Sequence, residues 1–208
     1  LRAGRPHREV VRDDAHRAEA RPPAVAAPED SMVFGTLHVP AFDRDTVPLA
    51  EGVSLEKVLN VKGVGHYPET ALPGEIGNVA IARHRNTYGR PLEQLDRLEV
   101  GDPLVIETAD AFYVYEVTES LVVDPGAVEV IAPVPGEVGA EPTEEMLTLT
   151  ACHPMYSARE RYIVHAEFAY WTKRADGIPE ALAADPGSAA EDAAAPDGLP
   201  PADTEGES

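Results

Sequence analysis

The sequence predicts a mainly β domain with one or two short helices, and three observations predict it. Its apolar stretches are short and rich in β-branched and aromatic residues. Glycine or proline interrupts nearly every junction between those stretches. With 208 residues and 43% hydrophobic content, the chain suits one folded domain with appendages. We therefore expect a β-barrel or sandwich of mixed connectivity.

The individual elements follow from local patterns. Tyr113, Tyr115 and Val117 alternate against Phe112 and Val114, which is the period of a strand. Leucines at threefold spacing after Pro91 predict the one clear helix, over residues 91–98. The predicted strands are Val33–Val39, Val79–Ala82, Pro103–Glu107, Ala111–Thr118, Leu121–Val123, Met146–Ala151 and Arg161–Trp171.

Composition divides the chain into three parts. Residues 1–30 hold six arginines and six acids without a sustained apolar period, so we expect a linker or stalk, or a weak helix. Residues 175–208 hold nine acids and no Lys or Arg in an Ala, Pro and Gly-rich background, which predicts a disordered tail. The strand-like patterns lie in residues 31–174, which we expect to form the folded domain and to carry any chemistry.

Charge and hydropathy exclude two kinds of partner. A formal net charge of −20 argues against nucleic acid, because its phosphates would be repelled. No apolar run approaches the 18 or so residues of a membrane span, so we expect these residues to be soluble. Because the first residue is Leu1 rather than Met, we expect an anchor or signal segment upstream of it.

Cys152 is the single cysteine, so it cannot form an internal disulfide and must be inert core, a metal ligand or a nucleophile. It follows the strand-like run Leu147–Ala151, in which Leu147, Leu149 and Ala151 share one face. A thiol at a strand end is typical of catalysis, whereas a small buried hydrophobe is the ordinary alternative. Nearby cations favour the nucleophile because they stabilise a thiolate; they are His153, Arg159 and Arg161.

The histidines differ in their predicted settings. His84 follows the apolar run 79–82 and opens a polar stretch, so it also lies at a strand end. His66 lies in a turn-rich loop, whereas His38 and His165 lie inside strands and are expected to be structural. Metal binding is a weak alternative, because the chain has no CxxC or HExxH spacing.

A nucleophile, a proton carrier and a cation suffice for acyl transfer. Arg161 begins the apolar run 162–164, so a strand–loop–strand hairpin would return it towards Cys152, where it can stabilise an oxyanion. Arg159 lies inside the intervening loop and is expected to be solvated. The residues alone therefore predict a cysteine acyltransferase or hydrolase on a β scaffold.

At these positions the chain resembles the sortases, membrane-tethered cysteine transpeptidases of Gram-positive bacteria. Their TLxTC signature is matched by Thr148-Leu149-Thr150-Ala151-Cys152, and their arginine, about nine residues later, by Arg161. Their histidine, which follows an apolar strand, is matched by His84 within residues 77–85. The likeness covers roughly residues 31–172, and neither the papain-type nor the caspase-type cysteine motif occurs.

Within the family the chain is most similar to class E, the actinobacterial housekeeping type, through residues 84–91 and 152–161. The resemblance implies an eight-stranded barrel whose catalytic residues are Cys152, His84 and Arg161. It implies cleavage of an LAxTG-like sorting signal between Thr and Gly through a thioester, followed by transfer to a cell-wall precursor amine. It also implies an extracellular domain held by a membrane anchor. The substrate-binding residues we expect are Tyr88, Thr150 and Ala151.

Two positions depart from the family pattern. Arg83 stands where sortases usually have glycine, and its charge disfavours protonation of His84. Ala151 replaces a threonine, which removes a hydroxyl but leaves a backbone N–H. No cofactor is implied, and no acidic cluster matches the calcium site of another sortase class. Two alternatives remain open: a pilin-polymerising class C sortase, and a catalytically silent extracellular β-barrel that binds peptide or wall polymer.

Overall fold

The computed structural model describes residues 10–11, 21–42, 45–84, 94–154 and 157–183. In this part of the chain eight strands close into a barrel in the order β2-β3-β4-β5-β8-β9-β7-β6, which confirms the expected architecture. The strands are β1 Val10–Val11, β2 Val33–Val39, β3 Asp45–Glu51, β4 Val64–His66, β5 Gly77–Arg83, β6 Pro103–Glu107, β7 Ala111–Val123, β8 Glu145–His153, β9 Glu160–Lys173 and β10 Ile178–Pro179.

Helical structure in the described residues is confined to short turns. They are a π-helix at Leu55–Leu59, 3-10 turns at Leu95–Arg97 and Val128–Ile131, and helix α1 at Glu180–Ala183. The helix expected over residues 91–98 is therefore a single 3-10 turn in its described part, while residues 91–93 lie outside the described ranges. Its leucines still turn inward, because Leu95 is fully buried and Leu98 nearly so.

Three adjacent strands build the part of the barrel that matters for chemistry. Strand β8 pairs in parallel with β5 and antiparallel with β9. Parallel neighbours end at the same edge of a sheet, and an antiparallel hairpin returns the chain to that edge. The ends of β5 and β8 and the beginning of β9 therefore meet at one end of the barrel.

The two faces of β8 have different chemistry, as the alternation predicts. Leu147, Leu149 and Ala151 point into the barrel and belong to its hydrophobic core. Thr148 and Thr150 lie on the outer face, yet both are buried because other segments cover them. The outer face of β8 is thus polar and covered by other segments at Thr148 and Thr150. Cys152 is the next outward-facing residue of the strand.

Strands β3 and β4 have no counterpart among the predicted strands. Pro48 lies within β3, and proline is a signal against a strand. Strand β4 has only three residues, one of them Gly65. Strand β7 is continuous from Ala111 to Val123 although two strands are expected there, and an irregularity near Thr118 accommodates the polar residues at the expected break.

Both ends of the described chain pack on the barrel. The Tyr113 hydroxyl donates a hydrogen bond to the carbonyl of Pro23, and Val25 packs against the core. Strand β10 pairs in parallel with β1. The rest of the expected stalk and the tail beyond residue 183 lie outside the described residues. Within the described part of the chain, we find no helix with the length and hydropathy to cross a membrane.

Candidate active site

Cys152 and Arg161 are cross-strand partners. Cys152 is the last-but-one residue of β8, Arg161 is the second residue of β9, and the antiparallel register aligns their Cα positions. Aligned residues in antiparallel strands project their side chains to the same face. The hairpin expected from the sequence is therefore present, and it brings the arginine beside the thiol.

His84 reaches the same place from the other side of β8. In the parallel register Arg83 aligns with Ala151, so His84, one residue further along, lies beside Cys152. Alternation along β5 puts His84 on the outer face, since Ile81 and Val79 face the core. Three side chains distant in sequence thus form one row across the end of the sheet: His84, Cys152 and Arg161.

The imidazole of His84 is oriented by a neighbouring amide. Its Nε2–H donates to Oδ1 of Asn60 at 2.7 Å, because an amide oxygen can only accept. Asn60 caps the C-terminus of the π-helix that lies against β4. Burial lowers the pKa of His84, and the neighbouring Arg83 cation lowers it further. His84 is consequently neutral at neutral pH unless a substrate group stabilises its charge.

Arg161 is anchored by the loop that precedes it. Its Nη1 donates to the carbonyl oxygens of Ala158, at 3.1 Å, and Glu160, at 3.0 Å. These two bonds use one guanidinium nitrogen, and Nε and Nη2 carry three further N–H donors. The anchored group can therefore present directed positive charge to an oxyanion beside Cys152.

Cys152 itself is a free thiol and is half-buried. It is thus neither an inert core residue nor fully solvated. His153, the next residue, stacks obliquely with Tyr162 at a ring separation of 5.7 Å, which fixes the strand end beyond the thiol. Arg159 is exposed, as expected.

The predicted substrate-binding residues have different positions. Thr150 lies on the outer face two residues before Cys152, and its hydroxyl is 3.1 Å from that of Tyr67. Ala151 is 2% exposed and points into the barrel, so only its backbone is near the outer face. Tyr88 lies outside the described residues.

Arg83 and Ala151, the two departures from the family pattern, are neighbours. They are partners in the β5–β8 register, and both side chains point to the inner face at the end of the barrel. One guanidinium nitrogen of Arg83 is buried. The two departures therefore lie side by side at the end of β5 and β8.

Two functional candidates, Asn60 and Tyr67, are absent from the sequence-based expectations. Asn60 follows a helix that the sequence pattern does not indicate, and it carries no motif of its own. Tyr67 belongs to the Gly65-His66-Tyr67-Pro68 segment, whose glycine and proline predict a turn-rich loop. An aromatic residue directly after a histidine is the signal that could have indicated it.

The other histidines lie away from the row that His84, Cys152 and Arg161 form. His66 is in β4 and buried, so its expected place in a turn-rich loop is wrong: three residues suffice to pair with both β3 and β5. His38 is 2.9 Å from Glu107, and His165 donates to Thr148 at 2.9 Å. Among the described residues, no cluster of three or more His, Cys, Asp or Glu side chains could hold a metal ion.

A cleft of about 370 Å³ lies further along the outer face of the sheet. Its floor includes Met146 and His165, and its roof comes from the segment between β7 and β8. His84, Cys152 and Arg161 do not line it, so their row lies outside this cleft.

Comparison with known proteins agrees with this geometry. The model of the sortase domain matches residues 37–169. Sortase SrtE1 of Streptomyces coelicolor is 41% identical over 160 residues, which cover 74% of this chain and 45% of that protein. The chain thus spans about half the length of this curated relative.

Solved structures show the same likeness. The SrtA sortase of Actinomyces oris has a TM-score of 0.75 and 40% identity, covering 83% of this chain and 99% of that one. Sortase E1 of Streptomyces coelicolor, solved with a tripeptide in the active site, has a TM-score of 0.69 and 40% identity over 75% and 99% of the two chains. These relatives confirm the resemblance to class E and do not favour class C. The chain belongs to the sortase family.

Proposed function

We propose that this domain is a class E cysteine transpeptidase that cleaves an LAxTG-like sorting signal between Thr and Gly. The observation that carries the proposal is the alignment of Cys152 with Arg161 across β8 and β9, with His84 at the end of the parallel neighbour β5. Nucleophile, proton carrier and oxyanion stabiliser then lie in one row, and we call Cys152, His84 and Arg161 together the catalytic row. On this proposal residues 31–174 form the catalytic domain.

In the first half-reaction the Cys152 thiol gives its proton to the neutral His84 as the sulfur attacks the carbonyl carbon of the signal's threonine. The carbonyl π electrons move to oxygen, and the further N–H groups of Arg161 stabilise the oxyanion. When the carbonyl re-forms, the C–N bond breaks and His84 in its protonated form donates its proton to the leaving glycine nitrogen. The product is a thioester on Cys152 and a peptide with a free amine.

In the second half-reaction an amine of the cell-wall precursor attacks the thioester. His84, now neutral, accepts the proton of the attacking nitrogen as the C–S bond breaks. The released thiolate takes this proton back from His84, which restores the resting thiol and the neutral imidazole. Because burial and Arg83 lower the pKa of His84, its protonated form is a stronger acid towards the leaving amine than an exposed histidine.

The groove floor beside the row suits an extended peptide. Ala82 on β5 and Thr150 on β8 are the outward-facing residues directly before the row and are 8% and 5% exposed, so the floor of the proposed groove begins at this end of the sheet. The Tyr67 side chain spans β5 to reach Thr150 and forms one wall. The tripeptide in the active site of the related sortase E1 supports a peptide ligand here. Tyr88 is the remaining residue that the family resemblance assigns to the signal.

The partners and location follow from this activity. We propose that the donors are secreted proteins with a C-terminal sorting signal and that the acceptor is a peptidoglycan precursor amine. The domain would then act on the extracellular face of the membrane, held by an anchor outside these 208 residues. The negative net charge of the chain agrees with the absence of a nucleic-acid partner from this proposal.

Peptide cleavage tests the proposal directly. Wild-type protein is incubated with a quenched LAxTG peptide, with and without an added amine nucleophile. We expect cleavage that is lost in Cys152→Ala and His84→Ala and kept in His38→Ala, whose histidine lies on β2. No cleavage by the wild type with any amine, combined with measurable peptide binding, would support the catalytically silent barrel instead.

A further inference from the structure

His66 has more hydrogen-bond partners than a filler of the core needs. It is 2% exposed, and its Nδ1 lies 2.8 Å from Oε2 of Glu51, its register partner on β3. Its Nε2 lies 3.0 Å from both the carbonyl oxygen of Ala71 and the hydroxyl of Thr70. Both ring nitrogens are therefore within hydrogen-bond distance of fixed groups on two different segments.

Thr70 connects the His66 ring to Tyr67, the residue that follows His66 in the chain. Its hydroxyl donates to the carbonyl of Tyr67 at 2.8 Å, and it accepts from the backbone N–H of Ala80 at 3.3 Å. Because the single hydroxyl proton is used on Tyr67, the bond to His66 must be donated by Nε2. The histidine thus stabilises the turn that carries Tyr67.

The backbone around Tyr67 is held as tightly. The N–H of Gly52 donates to the carbonyl of His66 at 2.9 Å, and the N–H of Tyr67 donates to the carbonyl of Ala80 at 2.9 Å. A Cβ on Gly65 would overlap the carbonyl oxygen of Gly52, so these strands approach as closely as glycine permits. This rigid corner aims the half-buried Tyr67 side chain at Thr150.

We propose that Glu51 and His66 are positioning residues that hold the Tyr67 hydroxyl against Thr150 and so set which sorting signal fits the groove. The inference rests on the proposed function and assigns a role to residues outside the catalytic row. Tyr67 and Thr150 are 83 residues apart in sequence, so their 3.1 Å contact depends on the orientation of the turn. Without the anchor, the phenol can leave the groove and admit a bulkier signal residue.

The chain contains a matched control. His38 and Glu107 form a second histidine–carboxylate pair at 2.9 Å, between β2 and β6. Neither strand carries a residue of the groove. If both pairs only stabilise the fold, substitution of His66 and substitution of His38 should affect selectivity alike. If Glu51 and His66 position Tyr67, only the substitution of His66 should change selectivity.

The test compares His66→Gln, His38→Gln and Tyr67→Phe. The readout is the ratio of kcat/KM for peptides with alanine and with proline at the second signal position. We expect Tyr67→Phe and His66→Gln to lower the preference for alanine by about five-fold, the value of one hydrogen bond, and His38→Gln to leave it unchanged. The double variant should show no further shift, because both changes act through one contact.

Thr70→Val provides a milder variant if His66→Gln does not fold, and NMR of 13C-labelled tyrosine supplies a readout independent of turnover. We expect the chemical shift of the Tyr67 ring to change in the His66 or Thr70 variant and not in the His38 variant. This inference would be overturned if the ratio of kcat/KM shifted in Tyr67→Phe but kept its wild-type value in folded His66→Gln and Thr70→Val. The proposed function would then remain intact. An unchanged Tyr67→Phe would overturn it together with the groove assignment. If the wild type cleaves no peptide, the proposed function fails and the NMR comparison decides this inference.

Discussion

His84 and His66 flank β5 in opposite settings. His84 lies one residue beyond the end of β5 and is half-buried, with Asn60 bonded to its Nε2. His66 lies inside β4, is almost inaccessible and bonds to the protein through both ring nitrogens. An enclosed ring whose two nitrogens are held by the fold cannot exchange a proton with a substrate, whereas a ring at the open end of a strand can. Accessibility therefore separates His84, the proposed proton carrier, from His66, the proposed anchor.

The strands explain this difference. Strand β4 is short but paired on both sides, so its residues are enclosed by β3 and β5. The end of β5 lies at the rim of the barrel, where the π-helix segment approaches His84 from the neighbouring surface. Reactive groups lie at strand ends because there the sheet holds the backbone without covering the side chain.

Replacing the cation of the catalytic row should have the largest effect. Arg161→Gln keeps a donor group but loses the charge, and we expect kcat/KM to fall by about 10²–10³-fold, the effect of removing one oxyanion donor. Arg159→Gln is the matched control, because Arg159 is exposed in the same loop and should retain activity. Equal losses in the two variants would contradict the assignment of Arg161.

A substitution at Gly65, in the enclosed strand β4, should change the stability of the fold. Gly65→Ala places a methyl group against the carbonyl of Gly52, and we expect the free energy of unfolding to fall by about 2 kcal/mol. Gly126→Ala is the control, since a Cβ there meets no atom within 4 Å. Chemical denaturation of both variants measures the difference, and equal stabilities would show that the close approach of β3 and β4 is not tight.

Loss of the bond between Asn60 and His84 should have a smaller effect on turnover. Asn60→Ala removes the 2.7 Å bond to Nε2 and allows the ring to rotate, so we expect kcat to fall by about ten-fold with little change in KM. Asn60→Asp, which keeps an acceptor oxygen, should restore much of the rate. An unchanged kcat in Asn60→Ala would mean that the ring is oriented by other contacts.

The smallest expected effect is electrostatic. Burial and Arg83 lower the pKa of His84 from its ordinary value of 6.5, so Arg83→Gln should raise that pKa. Because folding lowers this pKa, neutral His84 contributes stability above about pH 6.5, and the contribution is lost as the pH falls through the folded value. Arg83→Gln should therefore flatten the loss of stability on acidification. NMR titration of the His84 ring measures the shift, and a pKa that falls in Arg83→Gln would contradict this explanation.

The strand alternation and the order of the candidate residues carried most of the correct predictions. The alternation of residues 147–151 sufficed to assign the two faces of β8, because one face is apolar and the other polar. The hairpin between Cys152 and Arg161 is local, so its register followed from the loop length. Strongly patterned strands, such as β6 and β9, accordingly lie close to their predicted bounds.

Contacts between distant segments could not be predicted in this way. Asn60 meets His84 across 24 residues and Tyr67 meets Thr150 across 83, and neither pair has a local pattern. The pairing of Arg83 with Ala151 depends on the parallel register of β5 and β8, which a sequence pattern does not specify. Strand β4 was missed because three residues are too few to show a period.

Intact-protein mass spectrometry of the trapped intermediate tests the central claim most directly. The domain is mixed with an LAxTG peptide without an amine acceptor, quenched in acid and weighed. We expect an adduct equal to the peptide fragment ending at threonine, attached to Cys152 and discharged when an amine is added. No adduct on the wild type, or an adduct that persists in Cys152→Ala, would contradict the thioester mechanism.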